Sequence, residues 1–342
     1  MKQKRNRVFS GIQPTGDSLH LGNYHGAVQG MLALQETHDC IYAVVDYHAI
    51  TMPYDPALMP QRVLNIAAEY LAAGLDSERT ILMVQSDVPE HVELAWLLGA
   101  QMPVPKFEQL PAYKDKKARY GSASFGLLAY PILMAADILI YKATAVPVGR
   151  DQLPHIEFTR EVARRFNNTF GQTLPEPQAF QTQGAVVPGL KGPRAMAKSV
   201  PGSYIALSDP PEVIRQRLAR AYTDPARQRR TDPGEPTRCN VYAIHQLYTP
   251  PEQLEQIADG CRSAGIGCLE CKRILADEIV VRLSPIQERR RALLADPDCV
   301  RDVLADGARR ARPLARATLA EVKGKMGLTN CWESCGLAIG EG

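Results

Sequence analysis

The chain has 342 residues, a length that fits two domains. Hydrophobic residues make up 45% and charged residues 23%, ordinary values for a soluble globular protein with enough chain for a large core. The net charge of +3 is too small to demonstrate a polyanionic partner by itself, and without an apolar run of about 18 residues nothing spans a membrane.

The basic start MKQKRNR leads into VFSGIQPTGD rather than an apolar segment, which argues against a signal peptide and for a cytoplasmic protein. RVFS reads as a short strand and NYHGAVQGMLALQE as a helix. CIYAVVDYHAI, residues 40–50, is a continuous apolar run and reads as a buried parallel strand. PALMPQRVLNIAAEYLAAG predicts a helix closed by Gly74. TILMVQS and TAVPVG read as strands; HVELAWLLGA, FGLLAYPILMAADILIY and DQLPHIEFTREVARRFN read as helices. Pro131 falls near the start of its helix, as a first-turn proline would. Strands alternating with helices predict an α/β fold with a Rossmann-like, doubly wound parallel sheet. From about Pro210 onward only helical patterns remain, so an all-α unit follows.

PTGDSLHLGN, residues 14–23, lies between the first strand and the first helix. A glycine-bearing loop entering a helix N-terminus offers backbone N–H groups and a positive dipole end to an anion, most often phosphate. It lacks the Lys-Ser/Thr of a P-loop, and offers His20 as donor and Gly22 for close approach. Tyr130, Met134 and Asp137 are spaced to share one helix face, and Asp137 sits in an apolar setting where an unpaired carboxylate is costly. His48 follows a strand at its carboxyl end, where ligands of such sheets bind.

Cys239, Cys261, Cys268 and Cys271 are close in sequence, with one C-x-x-C pair. In a cytosolic chain this suggests metal rather than disulfides, and four thiolates can hold Zn²⁺ or a 4Fe–4S cluster. Cys40, Cys299, Cys331 and Cys335 have no such spacing to that group. Arginines crowd the helical half: Arg215, Arg217, Arg220, Arg227, Arg229, Arg230 and Arg238, then Arg289, Arg290, Arg291, Arg309, Arg310, Arg312 and Arg316. They read as an electrostatic footprint for nucleic acid, or as partners of nearby acids on solvated faces.

SGIQPTGDSLHLGNYHGA resembles the HIGH motif of class I aminoacyl-tRNA synthetases in the form used by the tryptophanyl branch, with Asn23 in the last motif position. VVDYHAIT, TILMVQSDVPEHVELAWLL, YPILMAADILIYKATAVPVGRDQLPHIEFTREVARRFN and SPIQERR resemble segments of that branch in the same order, so the resemblance covers nearly the whole chain. It implies a tryptophan–tRNA ligase that uses ATP and Mg²⁺, acts on tRNA(Trp) and forms a homodimer. It implies ATP contacts at Gln13, Thr15, His20, Gly22, Asn23, Gly149, Asp151, Val187, Met196, Lys198 and Ser199. Catalytic roles fall on His20, Asn23, Lys116 and Lys198. The tryptophan pocket is implied to hold Phe9, His48, Tyr130, Met134, Asp137 and Gln152, with Asp137 accepting the indole N–H.

At residues 191–200 the family carries a KMSKS loop. Here the five positions read Ala195-Met196-Ala197-Lys198-Ser199, so the first lysine and first serine are replaced, and Arg194 stands one position early. Some bacterial members carry a closely similar four-cysteine arrangement with an iron–sulfur cluster, and the resemblance extends that expectation to Cys239, Cys261, Cys268 and Cys271. The implied organisation is a catalytic domain over 1–207, a helical anticodon-binding domain over 208–296, and a C-terminal helix and tail over 297–342 that packs back on the catalytic domain. Two rival readings are a tyrosine enzyme of the same subclass and a catalytically weak paralogue that binds tRNA or tryptophan in regulation.

Overall fold

The computed structural model describes residues 6–111, 113–114, 124–149, 152–181, 186–192, 194–198 and 200–328. Strands β1 (Arg7–Ile12), β2 (Asp39–Val44), β3 (Ile81–Val84), β4 (Ala145–Val148) and β5 (Gln178–Gln181) form one parallel sheet in the order β3-β2-β1-β4-β5. All four neighbouring pairs are parallel. The strand order reverses beside β1, which leaves a crevice between the carboxyl ends of β1 and β4. The two strands touch in register only at Val8↔Ala145 and diverge beyond it.

Successive side chains alternate between the two faces of the sheet, as the strand repeat requires. Val8, Tyr42, Val44 and Leu82 enter one core, and Phe9, Ile41, Ala43 and Met83 the other. Helix α1 covers residues 21–34, with a π-helical segment Tyr24–Val28, followed by α2 (Met59–Ala73), α3 (Glu90–Gly99), α4 (Phe125–Leu139) and α5 (Leu153–Phe170). Gly74 ends α2 in the left-handed region at φ 112°, where a side chain would be strained. The helical half contains α6 (Pro211–Ala219), α7 (Asn240–Tyr248), α8 (Pro251–Arg262), α9 (Cys268–Ala295) and α10 (Pro297–Lys325). Leu275, Ile279 and Leu283 of α9 enter the same core as Val8 and Leu64, so the helical half is built onto the sheet's own packing.

Helix α10 returns across the edge strand β3. A Cβ at Gly307 would lie 1.8 Å from the Leu82 carbonyl oxygen, so helix and strand backbones touch there. Covering an edge strand in this way hides its unpaired backbone groups. Arg310, Arg312 and Arg316 then bind the Ser77 and Asp87 carbonyls and the Glu90 carboxylate.

Three expectations change. The apolar run 40–50 is strand only to Val44; Asp46–Ala49 forms a helical turn, because Asp46 accepts the Tyr47 and Ser86 N–H groups. Pro131 lies inside α4 rather than in its first turn. Ser124 caps that helix through the Leu127 N–H, so α4 begins well before the proline. Strand β5 is absent from the sequence reading, since QAFQ is short and carries no β-branched residue.

Candidate active site

The crevice between β1 and β4 contains a cavity of about 290 Å³. Phe9, His48, Tyr130, Met134, Asp137 and Gln152 all line it, as do Gln13 and Gly149 at the ends of the two strands. The six positions implied for tryptophan therefore surround one space, reached from β1, the turn after β2, α4 and the start of α5.

Asp137 is 1% exposed, a buried carboxylate whose desolvation costs several kcal/mol unless offset. Four hydrogen bonds offset it. His48 Nε2 donates to Oδ2 at 2.8 Å, His91 Nδ1 donates to Oδ1 at 2.6 Å, and Gln85 Nε2 reaches both oxygens at 2.8 and 2.9 Å. Burial pushes the carboxyl upward, but the bonds from His48 and His91 outweigh it and hold it at about 2. The carboxylate is thus an acceptor at any working pH. His91 Nε2 lies 2.7 Å from the Tyr141 hydroxyl, and Tyr141 stacks on Phe9 with ring centroids 5.7 Å apart. The Tyr130 hydroxyl meets His155 Nε2 at 2.8 Å, and burial raises that phenol to about 12. Gln85, His91 and His155 were not picked out from sequence. Gln85 directly follows a strand's carboxyl end, a signal that could have found it. A lone histidine in a helical stretch carries no comparable mark.

The glycine-bearing loop and α1 form a second cluster. His20 caps α1: Nδ1 accepts the Asn23 N–H at 3.2 Å, while the Asn23 side chain accepts the His20 N–H at 3.2 Å. Because Nδ1 accepts, the neutral ring carries its proton on Nε2. Burial, and then the charge of Lys198, lowers His20 to about 4, so the ring is neutral near pH 7. A Cβ at Gly22 would sit 2.9 Å from the His20 ring, so a side chain there would push the capping imidazole out of place. Gln13 and Thr15 are exposed on the same loop.

Beneath that loop lies Glu69, fully buried on α2. It accepts the Ser18 hydroxyl at 2.5 Å, the Leu19 N–H at 2.6 Å and Arg290 Nε at 3.0 Å. Sequence reading missed Glu69, which only the fold brings under the loop. Lys198 packs on the loop from above: a Cβ at Gly16 would be 3.2 Å from its Nζ. Burial lowers the Lys198 ammonium, while Glu69 and Asp17 draw it back up. Met196 and Val187 are buried and join through the Met196 N–H to the Val187 carbonyl at 3.1 Å. Lys116, Asp151 and Ser199 lie outside the described residues, as do Arg150, Cys331 and Cys335.

The four cysteines share one corner. Cys239 precedes α7, Cys261 is in the last turn of α8, and Cys268 and Cys271 open α9. Burial and then the other three thiols push Cys271 up to about 12, so all four lie within electrostatic reach. Yet among the described residues no three His, Cys, Asp or Glu side chains converge on a metal position. Cys271 Sγ instead meets His245 Nε2 at 3.4 Å, and Cys261 Sγ accepts from Arg227 at 3.7 Å.

The arginine footprint is largely used inside the chain. Arg215 pairs with Asp277, Arg217 with Asp209, Arg289 with the Ala72 carbonyl and Arg309 with Asp306. Arg290, Arg310, Arg312 and Arg316 tie α9 and α10 to the α/β half. Among the described residues no helix is long and apolar enough to cross a membrane.

The sequence pattern of the family described as tRNA synthetases class I (W and Y) matches residues 1–284. A tryptophan–tRNA ligase from Deinococcus radiodurans is 49% identical over 326 residues, 94% of this chain and 98% of that protein. The Thermotoga maritima ligase is 41% identical over 328 residues, 94% of this chain and 99% of that protein. The crystal structure of Campylobacter jejuni tryptophanyl-tRNA synthetase complexed with ADP and tryptophan superimposes with a TM-score of 0.86 at 33% identity, covering 94% of this chain and 100% of that one. Fold, crevice and matches together define a class I tRNA synthetase of the tryptophan and tyrosine type. Within that class the chain belongs to the tryptophan–tRNA ligases.

Proposed function

We propose that the protein activates L-tryptophan with ATP to tryptophanyl-adenylate and transfers the tryptophanyl group to tRNA(Trp), releasing AMP and pyrophosphate. The observation that carries this reading is the cavity at the strand reversal, with a buried, ionised Asp137 at its wall and Gln13, at the root of the His20 loop, on its lining.

In this reading the indole ring packs between Phe9 and Met134, and its N–H binds Asp137. Tyr130 and Gln152 hold the α-ammonium and carboxylate, and His48 lies beside the ring. The tryptophan carboxylate attacks the α-phosphate of ATP; the bond to pyrophosphate breaks and pyrophosphate leaves, and Mg²⁺ entering with ATP would offset its charge. The terminal ribose hydroxyl of the tRNA then takes the acyl group, and AMP departs. No protein nucleophile is needed: positioning and charge stabilisation supply the catalysis. His20 Nε2–H and Asn23 serve the phosphates. Lys198, with Lys116, neutralises charge developing on pyrophosphate. Gln13, Thr15, Gly22, Gly149, Asp151, Val187, Met196 and Ser199 complete the nucleotide site. The catalytic domain is read as 1–207, the anticodon domain as 208–296, and 297–342 as the returning helix and tail.

The four cysteines are assigned to a 4Fe–4S cluster, with Zn²⁺ as the alternative. The all-thiol donor set at one corner supports this, and no catalytic step passes through it. A homodimer is supported by the exposed Trp96 and Val92, one turn apart on α3. That none of the six described cysteines is joined in a disulfide suits the cytoplasm.

The test is ATP–pyrophosphate exchange on anaerobically purified protein, with tyrosine as control and an absorption spectrum of the same sample. Exchange with tryptophan alone is expected. Preferred exchange with tyrosine, or none from folded protein, overturns the assignment. A brown chromophore supports the cluster, and bound zinc without one replaces it.

A further inference from the structure

A carboxylate offers about four lone-pair directions, and at Asp137 four hydrogen bonds fill them. His91 and Gln85 share Oδ1; His48 and Gln85 share Oδ2. A fifth donor has no place. An indole N–H arriving at this carboxylate has to displace one of those already present.

The three donors differ in access. Gln85 and His91 are fully buried and do not line the cavity, whereas His48 does. His91 is pinned from its other side by Tyr141, whose hydroxyl also reaches Met83 Sδ at 3.6 Å. Gln85 is committed by geometry. Its Nε2 bridges both oxygens, and a flipped amide would aim its own oxygen at the carboxylate. His48 packs edge-on to Tyr130 across the cavity wall, with ring centroids 6.4 Å apart.

We propose that His48 is the exchangeable donor at Asp137 Oδ2, giving way to the indole N–H, while His91 and Gln85 are positioning residues that stay bonded and fix the carboxylate. This rests on the reading of Asp137 as the indole acceptor. It has an unusual consequence for specificity. A ring without an N–H leaves His48 in place, so the acceptor is never orphaned. Discrimination is then the difference between two hydrogen bonds rather than the full cost of an unpaired buried acceptor. Removing the donor of His48 therefore sharpens discrimination.

The test compares tryptophan with β-(benzothiophen-3-yl)alanine, in which sulfur replaces the N–H, through kcat/KM in pyrophosphate exchange. The wild type prefers tryptophan modestly. His48→Phe, which keeps a ring but no donor, raises the tryptophan-to-analogue ratio by about tenfold whatever its loss in overall rate. A ratio that stays the same or falls in an active variant overturns the exchange. Equal use of both ligands by the wild type and by His48→Phe alike overturns the Asp137 reading first, and the exchange with it. Should His48→Phe not fold, ¹⁵N-histidine spectra of the wild-type protein decide. The His48 Nε2 resonance shifts with tryptophan and holds its place with the analogue; identical spectra with both ligands sink the proposal.

Discussion

His25 in the π segment of α1 and Tyr248 at the end of α7 are joined by a 2.7 Å hydrogen bond between Nε2 and the phenolic hydroxyl. The other nitrogen of His25 meets Gln29 at 2.9 Å, and burial lowers the imidazole, so both contacts belong to a neutral ring. The helix that opens on His20 is therefore fastened to the helical half. Tyr248→Phe leaves His25 without that partner and is expected to cost about 1–2 kcal/mol. Denaturant unfolding with and without the substitution measures it, and kcat/KM for ATP is expected to fall more than the tryptophan affinity. No loss in either quantity would show the bond to be incidental.

The other end of α7 holds the segment proposed as the second part of the ATP site. The buried Asn240 Nδ2 donates to the Gly189 carbonyl at 2.7 Å and also to that of Gly192, at the root of the loop carrying Lys198. Its neighbour is Cys239, and His245 within α7 touches Cys271. One short helix thus joins the four-thiol corner to both segments proposed to hold the nucleotide. Asn240→Ala is expected to raise KM for ATP several-fold with KM for tryptophan unchanged, because the cavity proposed for tryptophan shares no wall with α7. Steady-state exchange at varied ATP and varied tryptophan separates the two; a parallel rise in both would mean a general loss of structure.

Periodicity alone reached the alternating half of this fold and the all-helical half, since long amphipathic segments carry the strongest signal. The 40–50 run misled because a buried strand and the helical turn after it are equally apolar, and only Asp46 marks the break. The positions lining the cavity came from resemblance to a family; spacing supplied no more than the shared face of Tyr130, Met134 and Asp137. What no local pattern could show is the support beneath them. Glu69 reaches the loop from 50 residues away, and Arg290 joins them across 221. Of the two readings open for the arginines, Arg310, Arg312 and Arg316 follow the second: they are tethers to carbonyls and an acid that become neighbours only after folding.

Gly307 predicts a sharp steric limit. With the Leu82 carbonyl 1.8 Å from where a Cβ would stand, Gly307→Ala must push α10 off β3. Overpacking of this kind costs about 1–3 kcal/mol, and here the obstacle is backbone, which cannot rotate away. Thermal unfolding is the measurement: a lowered midpoint is expected, whereas Ala305→Gly on the exposed face of the same helix is expected to cost no more than about 1 kcal/mol. Equal stability of Gly307→Ala and the parent chain would contradict this packing.

Acid sensitivity follows from the buried histidines. His20 and His245 are each held at about 4, burial being the main cause, against 6.5 when unfolded. The unfolded chain binds more protons between those values, so stability is full above about pH 6.5 and falls as pH drops toward 4. Asp137, at about 2 against 3.8, adds a further loss only below pH 3.8. Urea midpoints taken from pH 7 to pH 4 are expected to decline throughout. His20→Asn, which keeps a capping side chain without a titrating ring, is expected to flatten part of the slope; an unchanged slope would place the proton uptake elsewhere.

The loop that carries Lys198 makes the last prediction. Its ammonium lies over Gly16 and is half-buried, with Glu69 and Asp17 favouring its charge, so the cation proposed for pyrophosphate is held against the glycine-bearing loop. A cation so preorganised acts on charge that develops late, and its removal should fall on kcat rather than on binding. Lys198→Ala is expected to lower kcat of tryptophan-dependent exchange by about 10²–10³ with a smaller effect on KM for ATP. Ala195 and Ala197 stand where the family carries a lysine and a serine, and Ala195 is exposed. Ala195→Lys adds a second cation at a site that can hold it without repacking. A rise in kcat there, absent when Lys198 is also replaced, would show that the two charges act together on the leaving pyrophosphate. A kcat unmoved by Ala195→Lys would show that Lys198 carries this charge alone.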